Sequence, residues 1–448
     1  MNRHTHASAL APRRISPINA PIVAAWQSTP GAAAGERGKL NRRRGMGKRQ
    51  RRCRLLIYSH DSFGLGHLRR CRAIAQALVA HRGDLTVLIL SGSPIIGSFS
   101  FSTRVDFVRI PGVIKLRHGD YTALSLDMGI EEILALRGEI IHHTALAFRP
   151  DIFLVDKEPL GLRGEVRETL SMLKATGTRL VLGLRDVLDE PGQLAEEWER
   201  KNAVSALNEL YDHIWIYGLP QIGNALEGIA LPPATLAKVR YTGYLKRTLA
   251  RHARPAAAMS EPYLLVTTGG GGDGAALIDW VLSAYESDPS IPHRALLVLG
   301  PFMRSALQQA FMARVARLER VEAITFDAEM EGLMAAATGV VAMGGYNTFC
   351  EILSFDKPAL IIPREVPRRE QAIRAARAEA LGLVRMLSAS ADRSPARMAA
   401  ALRALPDQPK PSQVPIPGLL DGLTVIAGEV DDWLDQPARR LALVRSLS

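Results

Sequence analysis

The stretch VVAMGGYNTFCEILSFDKPALIIPREVPRREQ, Val340 to Gln371, carries the pattern that decides the fold. An apolar run ends on Gly344 and Gly345, a helix opens at about Asn347 and carries Glu351, and a second apolar run, Ala359 to Ile362, stops at Pro363. Two polar residues, Glu370 and Gln371, then stand at the next helix start. Short apolar runs alternating with amphipathic segments spell a parallel sheet covered by helices. In such a sheet the strand ends and the helix N-termini that follow them line the crevice that receives ligands.

The same rhythm runs outward from this stretch. Upstream, from Arg54, it predicts strands at Leu55 to Ser59, Thr86 to Leu90, Val105 to Ile110, Ile152 to Val155, Leu180 to Gly183 and Ile214 to Tyr217. Helices are expected between them over Leu68 to Ala80, Leu126 to Phe148, Gly164 to Thr176 and Leu194 to Leu210. The rhythm breaks between Pro220 and Glu261, where Pro232, Pro233, Pro255 and a run of Ala mark a linker, and it restarts at Tyr263. Four segments follow: a basic tail over 1–53, a Rossmann-like domain over 54–220, a linker region over 221–262, and a second Rossmann-like domain with terminal helices over 263–448. The fold class is α/β, two doubly wound domains facing a cleft.

A net charge of +11 on 448 residues invites a nucleic-acid reading, so its location matters. Residues 1–54 hold thirteen Lys or Arg against the single acid Glu36, and the rest of the chain holds forty-three against forty-four. The basic character therefore belongs to the tail, which is rich in Ala, Pro, Gly and Arg and reads as a disordered leader, with Met46 an alternative start. A solvated leader is the expectation, and contact with acidic lipid is the alternative; nucleic acid is not expected as a partner. No secretory signal and no run of about 20 apolar residues stands out, so a cytoplasmic protein is expected, with the inner face of the membrane as its alternative address. Cys53, Cys71 and Cys350 are odd in number and widely spaced, which argues against a disulfide framework or a zinc site.

Three stretches can carry chemistry. SHDSFGLGHLRR, Ser59 to Arg70, follows the first strand; Gly64 and Gly66 allow a tight turn into a helix, and His67 stands at the mouth of the cleft as a proton acceptor. The alternative is close packing by the glycines and a capping role for the histidine. TTGGGGDGA, Thr267 to Ala275, opens the second domain, and its glycines Gly270, Gly271, Gly272 and Gly274 leave backbone N–H groups for a phosphate. In the opening stretch, Glu351 can accept from two vicinal ribose hydroxyls, while Gln371 donates and accepts. Arg185 with Asp186, and Asp156 with Glu158, follow strands of the first domain and read either as acceptor or His-orienting groups or as local ion pairs and solvated loops. The apolar piece Ser93 to Phe101 reads as a buried loop or as a contact for a lipid-linked acceptor.

With these residues in place, the chain from Arg54 to Leu387 resembles the GT-B glycosyltransferases of family 28, to which the enzyme completing the lipid-linked peptidoglycan precursor belongs. The resemblance implies a proton-acceptor role for His67 and a phosphate loop at GGGDGA, Gly270 to Ala275, with Gly272 where the family usually has Ser. It implies that backbone atoms at Phe326 or Asp327 read the base, that Glu351 holds the ribose, and that Glu370 and Gln371 read the sugar. Met343 stands where the peptidoglycan enzyme commonly has Arg, and the acceptor-side loops differ. The function expected is inverting transfer of a hexose-type sugar, N-acetylglucosamine or similar, from a UDP-linked donor to a hydroxyl acceptor, with His67 and Asp186 as the catalytic pair. No cofactor is expected beyond the donor, and no metal, because Asp-x-Asp does not occur. The alternatives are a UDP-sugar 2-epimerase or hydrolase of the same fold, and a non-catalytic sugar-nucleotide-binding module.

Overall fold

CRLLIYS, Cys53–Ser59, is apolar on both faces and exposes only Arg54, as a central parallel strand covered by helices on each side must be. This strand, β1, pairs with β2 (Leu85–Ser91), which pairs with β3 (Val105–Arg109). A separate antiparallel hairpin, β4 (Val113–Lys115) and β5 (Tyr121–Ala123), follows. The chain then returns to the other side of β1 with β6 (Ile152–Asp156), β7 (Arg179–Arg185), β8 (His213–Tyr217) and β9 (Val239–Tyr241). The first sheet is therefore parallel throughout, in the order β3-β2-β1-β6-β7-β8-β9.

The second sheet repeats the plan with β10 (Tyr263–Thr267), β11 (Arg294–Val298), β12 (Val321–Ile324), β13 (Gly339–Ala342), β14 (Ala359–Ile361) and β15 (Arg385–Met386), in the order β12-β11-β10-β13-β14-β15. Each sheet reverses its winding once, between β1 and β6 and between β10 and β13. Those two reversals are the switch points at which ligands enter such sheets. The computed structural model describes residues 52–60, 66–115, 120–249, 261–327, 330–388 and 392–435. Gly64, nearly all of the basic tail and the middle of the 221–262 segment lie outside them.

Two doubly wound Rossmann-like lobes are thus present as the residue pattern indicates, and three details differ. The expected linker contains β9, so the first sheet extends past residue 220. The helix expected over Leu194 to Leu210 is two helices, Pro191–Arg200 and Ala203–Glu209, because Asn202 takes a left-handed conformation with φ 51°. The last helix, Gly422–Asp435, returns to the first lobe instead of finishing the second. Its Trp433 stacks on Trp215 at 5.6 Å with an interplanar angle of 7°, and the Trp215 indole N–H donates to Glu429 at 2.6 Å. That returning helix ties the lobes into one continuous core, in which Tyr244 also meets Phe349 edge to face at 5.2 Å. Among the described residues no helix is long and apolar enough to cross a membrane.

Candidate active site

A cavity of about 260 Å³ lies where the two switch points face each other. The helix Gly66–His81 follows β1 and brings His67 to its wall; Asp156 ends the neighbouring strand β6. Nδ1 of His67 lies 2.5 Å from Oδ2 of Asp156, and Arg70 grips the same carboxylate with Nε at 2.8 Å and a terminal nitrogen at 2.7 Å. The Arg70 guanidinium also comes within 3.0 Å of Nδ1. One nitrogen cannot donate to Asp156 and accept from Arg70 together. Although burial acts to raise the Asp156 carboxyl, Arg70 and His67 hold it down at about 2, so Asp156 is an acceptor and Nδ1 carries the proton. Nε2 is then the basic nitrogen.

Burial pushes the His67 imidazole down to about 4; Asp156 pulls it back up and Arg70 adds to the fall. The ring is neutral at pH 7 and oriented by a carboxylate, the arrangement a general base requires. Asp186, expected as the partner of His67, is elsewhere. It is fully buried, takes two 2.6 Å bonds from the Arg374 guanidinium of the second lobe, and accepts from the Tyr244 hydroxyl at 2.7 Å. Its contacts join the lobes, and Asp156 occupies the position beside the imidazole.

On the opposite wall, β10 runs into the glycine loop, and Gly270, Gly271 and Gly272 line the cavity. The amides of Gly272 and Asp273 take no backbone hydrogen bond among the described residues, while the helix Ala275–Ser287 starts directly behind them. Gly271 has φ 87°, and a Cβ there would come within 2.5 Å of the Leu299 carbonyl oxygen. Gly274 is not on the cavity: it packs against the Thr268 side chain, so its smallness serves helix packing. The expected result for Gly271→Ala is a loss of about 1–3 kcal/mol of stability from forcing an L-residue into that conformation, together with weaker nucleoside-diphosphate binding. An unchanged melting temperature and affinity would remove the loop's assigned geometry.

Glu351 lies on the helix Tyr346–Ser354 after β13, buried, with Oε1 bound to Arg69 at 2.5 Å; Arg69 also reaches Glu331 at 3.0 Å. Burial raises the Glu351 pKa and Arg69 holds it back. Neither arginine nor asparagine contacts at this edge stood out from the residue pattern, although Arg69 lies inside the quoted HLRR run. Asn347 donates to the Gly66 carbonyl at 2.9 Å and accepts from Arg247 at 2.7 Å, pinning the first residue of the helix that carries His67. Phe326, Asp327 and Gln371 line the cavity as well. Glu370 does not: its buried carboxylate turns to Arg364 at 2.6 Å, and Arg364 in turn reaches Asp273 of the glycine loop at 2.5 Å. The expected Glu370 and Gln371 pair is therefore split, with Gln371 at the cavity and Glu370 supporting the loop. In the Ser93 to Phe101 piece, Ile96 is buried, and Phe99 is buried yet borders the cavity.

Residues 264–414 match the family model of the glycosyltransferase family 28 C-terminal domain. No curated protein matches the chain by sequence. Among solved structures, a UGT transferase from Siraitia grosvenorii in complex with UDP is similar at 13% identity and TM-score 0.54, covering 85% of this chain and 100% of that one. MurG from Acinetobacter baumannii aligns at 11% identity and TM-score 0.51, over 85% and 99% of the two chains. A protein assigned as UDP-N-acetylglucosamine 2-epimerase from Listeria monocytogenes aligns at 15% identity and TM-score 0.56, over 87% and 98%. At these identities the likeness establishes the GT-B fold.

Proposed function

From a glycosyltransferase of GT-B architecture with a family 28-type C-terminal domain, we propose the following reaction: inverting, metal-independent transfer of a hexose-type sugar, N-acetylglucosamine or a close relative, from a UDP-linked donor to an acceptor hydroxyl. The observation that carries this reading is one cavity walled by a neutral, carboxylate-oriented imidazole from the first lobe and by the glycine loop, Glu351 and Gln371 from the second. The loop amides meet the diphosphate, where preorganised donors facing a leaving group supply roughly 3–4 kcal/mol each. Glu351, fixed through one oxygen by Arg69, offers the other to ribose hydroxyls. Nε2 of His67 takes the acceptor proton as the hydroxyl oxygen attacks the anomeric carbon and the bond to the diphosphate breaks. UDP as the nucleotide is favoured by the UDP-bound relative of the same fold.

Two measurements test the reading. In a thermal-shift series over uridine, thymidine, guanosine and adenosine diphosphates, UDP should stabilise most, in proportion to its binding. Incubation with UDP-N-acetylglucosamine alone should leave the donor nearly intact, with UDP released once a hydroxyl acceptor is added and with no effect of chelation. A new sugar nucleotide formed from donor alone would instead mark an epimerase, turnover lost on chelation and restored by magnesium would contradict the metal-free reaction, and binding of none of the four diphosphates would end the proposal.

A further inference from the structure

Arg185 closes β7 and borders the same cavity as His67 and the glycine loop. The neighbouring guanidinium groups are matched by carboxylates: Arg70 by Asp156, Arg69 by Glu351 and Glu331, Arg374 by Asp186. Arg185 has no such match. Among the described residues it forms no ion pair, and its Nε is sealed from solvent without an acceptor. Its surroundings are mixed: Arg70 and Arg374 act on it as like charges, Asp186 attracts it but gives both oxygens to Arg374, and Glu370, the strongest attraction, gives one oxygen to Arg364 and leaves the other buried without a partner. Burial pushes the guanidinium down to about 10, so it keeps its proton at neutral pH. A half-buried cation whose Nε is sealed and unpaired, with no carboxylate to match it, is costly to the protein. Its planar fork suits two oxygens of one oxyanion.

We propose that Arg185 is the oxyanion-binding group of this cleft, taking the oxygens of a phosphate that a substrate carries between the lobes. The inference rests on the glycosyl-transfer reading and deepens it. The phosphate has two sources, the diphosphate that leaves the donor or a phosphate on the acceptor. In the first case Arg185 stabilises the departing charge from the side facing the glycine loop; in the second it selects acidic acceptors.

Calorimetric titration of the full chain and of its Arg185→Gln and Arg185→Lys variants decides the matter, with UDP, uridine and inorganic pyrophosphate as probes. The expected result is that Arg185→Gln weakens pyrophosphate by about tenfold or more, the size of a lost charged hydrogen bond, that Arg185→Lys recovers part of it, and that uridine is unaffected. An equal loss for UDP assigns the donor diphosphate as the source. Unchanged UDP affinity, with the loss seen for pyrophosphate added to UDP-saturated protein, assigns the acceptor. Pyrophosphate bound equally by Arg185→Gln and wild type overturns the inference whatever UDP does, whereas failure of wild type to bind any nucleoside diphosphate sinks the transfer reading instead. Thermal melting gives an independent check: removing an unmatched, half-buried charge should raise the melting temperature of the ligand-free protein, and a fall would assign Arg185 a purely structural role.

Discussion

His67→Ala is expected to lower turnover by about 10²–10⁴-fold, the range that a positioned general base contributes, and to leave UDP binding unchanged. The loss follows from Nε2 being the one basic nitrogen the Asp156 contact leaves on that ring. Because Asp156 acts on the chemistry through His67, adding Asp156→Asn to His67→Ala should reduce turnover little further, as for residues that work as a unit. Asp156→Asn alone will also loosen the fold, since it strips the buried Arg70 of its carboxylate. The pH dependence has a definite sign. The imidazole pKa is near 6.5 in the unfolded chain and about 4 in the folded one. Between those values only the unfolded chain binds the proton, so stability present above pH 6.5 is lost as pH falls toward 4. His67→Ala should remove that slope, and the wild-type rate is expected to show no acid limb at pH 6 to 7 from this residue. A wild-type rate in the alanine variant, or a histidine-dependent inflection near pH 6.5, would refute the assignment.

The uneven legibility of this site in the residue pattern has a physical origin. Strands buried on both faces, such as CRLLIYS and YLLVT, announce themselves through uninterrupted apolar character. Three-residue β9, VRY, has no such signal so soon after Pro232 and Pro233, and it exists because β8 offers an edge to pair with. The glycine loop was legible because it follows β10 directly, and Glu351 and Gln371 because they lie in the helices that follow β13 and β14. The partner of His67 was not. Asp156 and Asp186 both stand at the ends of apolar strands, and the choice between them depends on strand order. β6 lies next to β1 and β7 one place further, so the carboxylate ending β6 meets the helix that follows β1. Likewise Glu370 and Gln371 are adjacent in sequence but project differently from the start of their helix, one to Arg364 and one to the cavity.

Arg374→Met is expected to destabilise the protein by about 3–5 kcal/mol, the penalty for breaking a buried ion pair and leaving its partner charged. Asp186 and Arg374 are 0% and 1% exposed at the side chain, so water cannot take over the lost bonds. Two further ties increase the effect: the Tyr244 hydroxyl donates to Asp186, and Arg374 donates to the Gly344 carbonyl at 3.0 Å. Gly344 has φ 76°, and its corner leads into the helix bearing Asn347 and Glu351. The pair therefore joins the end of β7 to the corner that leads into the helix of Asn347 and Glu351, and fixes how the two cavity walls meet. Arg374→Lys retains the charge but not the two-pronged grip, so it should fall between methionine and wild type. Replacing both members with apolar side chains, as in Asp186→Leu with Arg374→Met, should recover much of the loss, because no unpaired charge then remains. Denaturant midpoints read these differences, and UDP affinity should fall in step with them. If Arg374→Met melts and binds UDP as wild type does, the pair is not what sets the aperture between the lobes, and the contacts of Asn347 with Gly66 and Arg247 must bear that role instead.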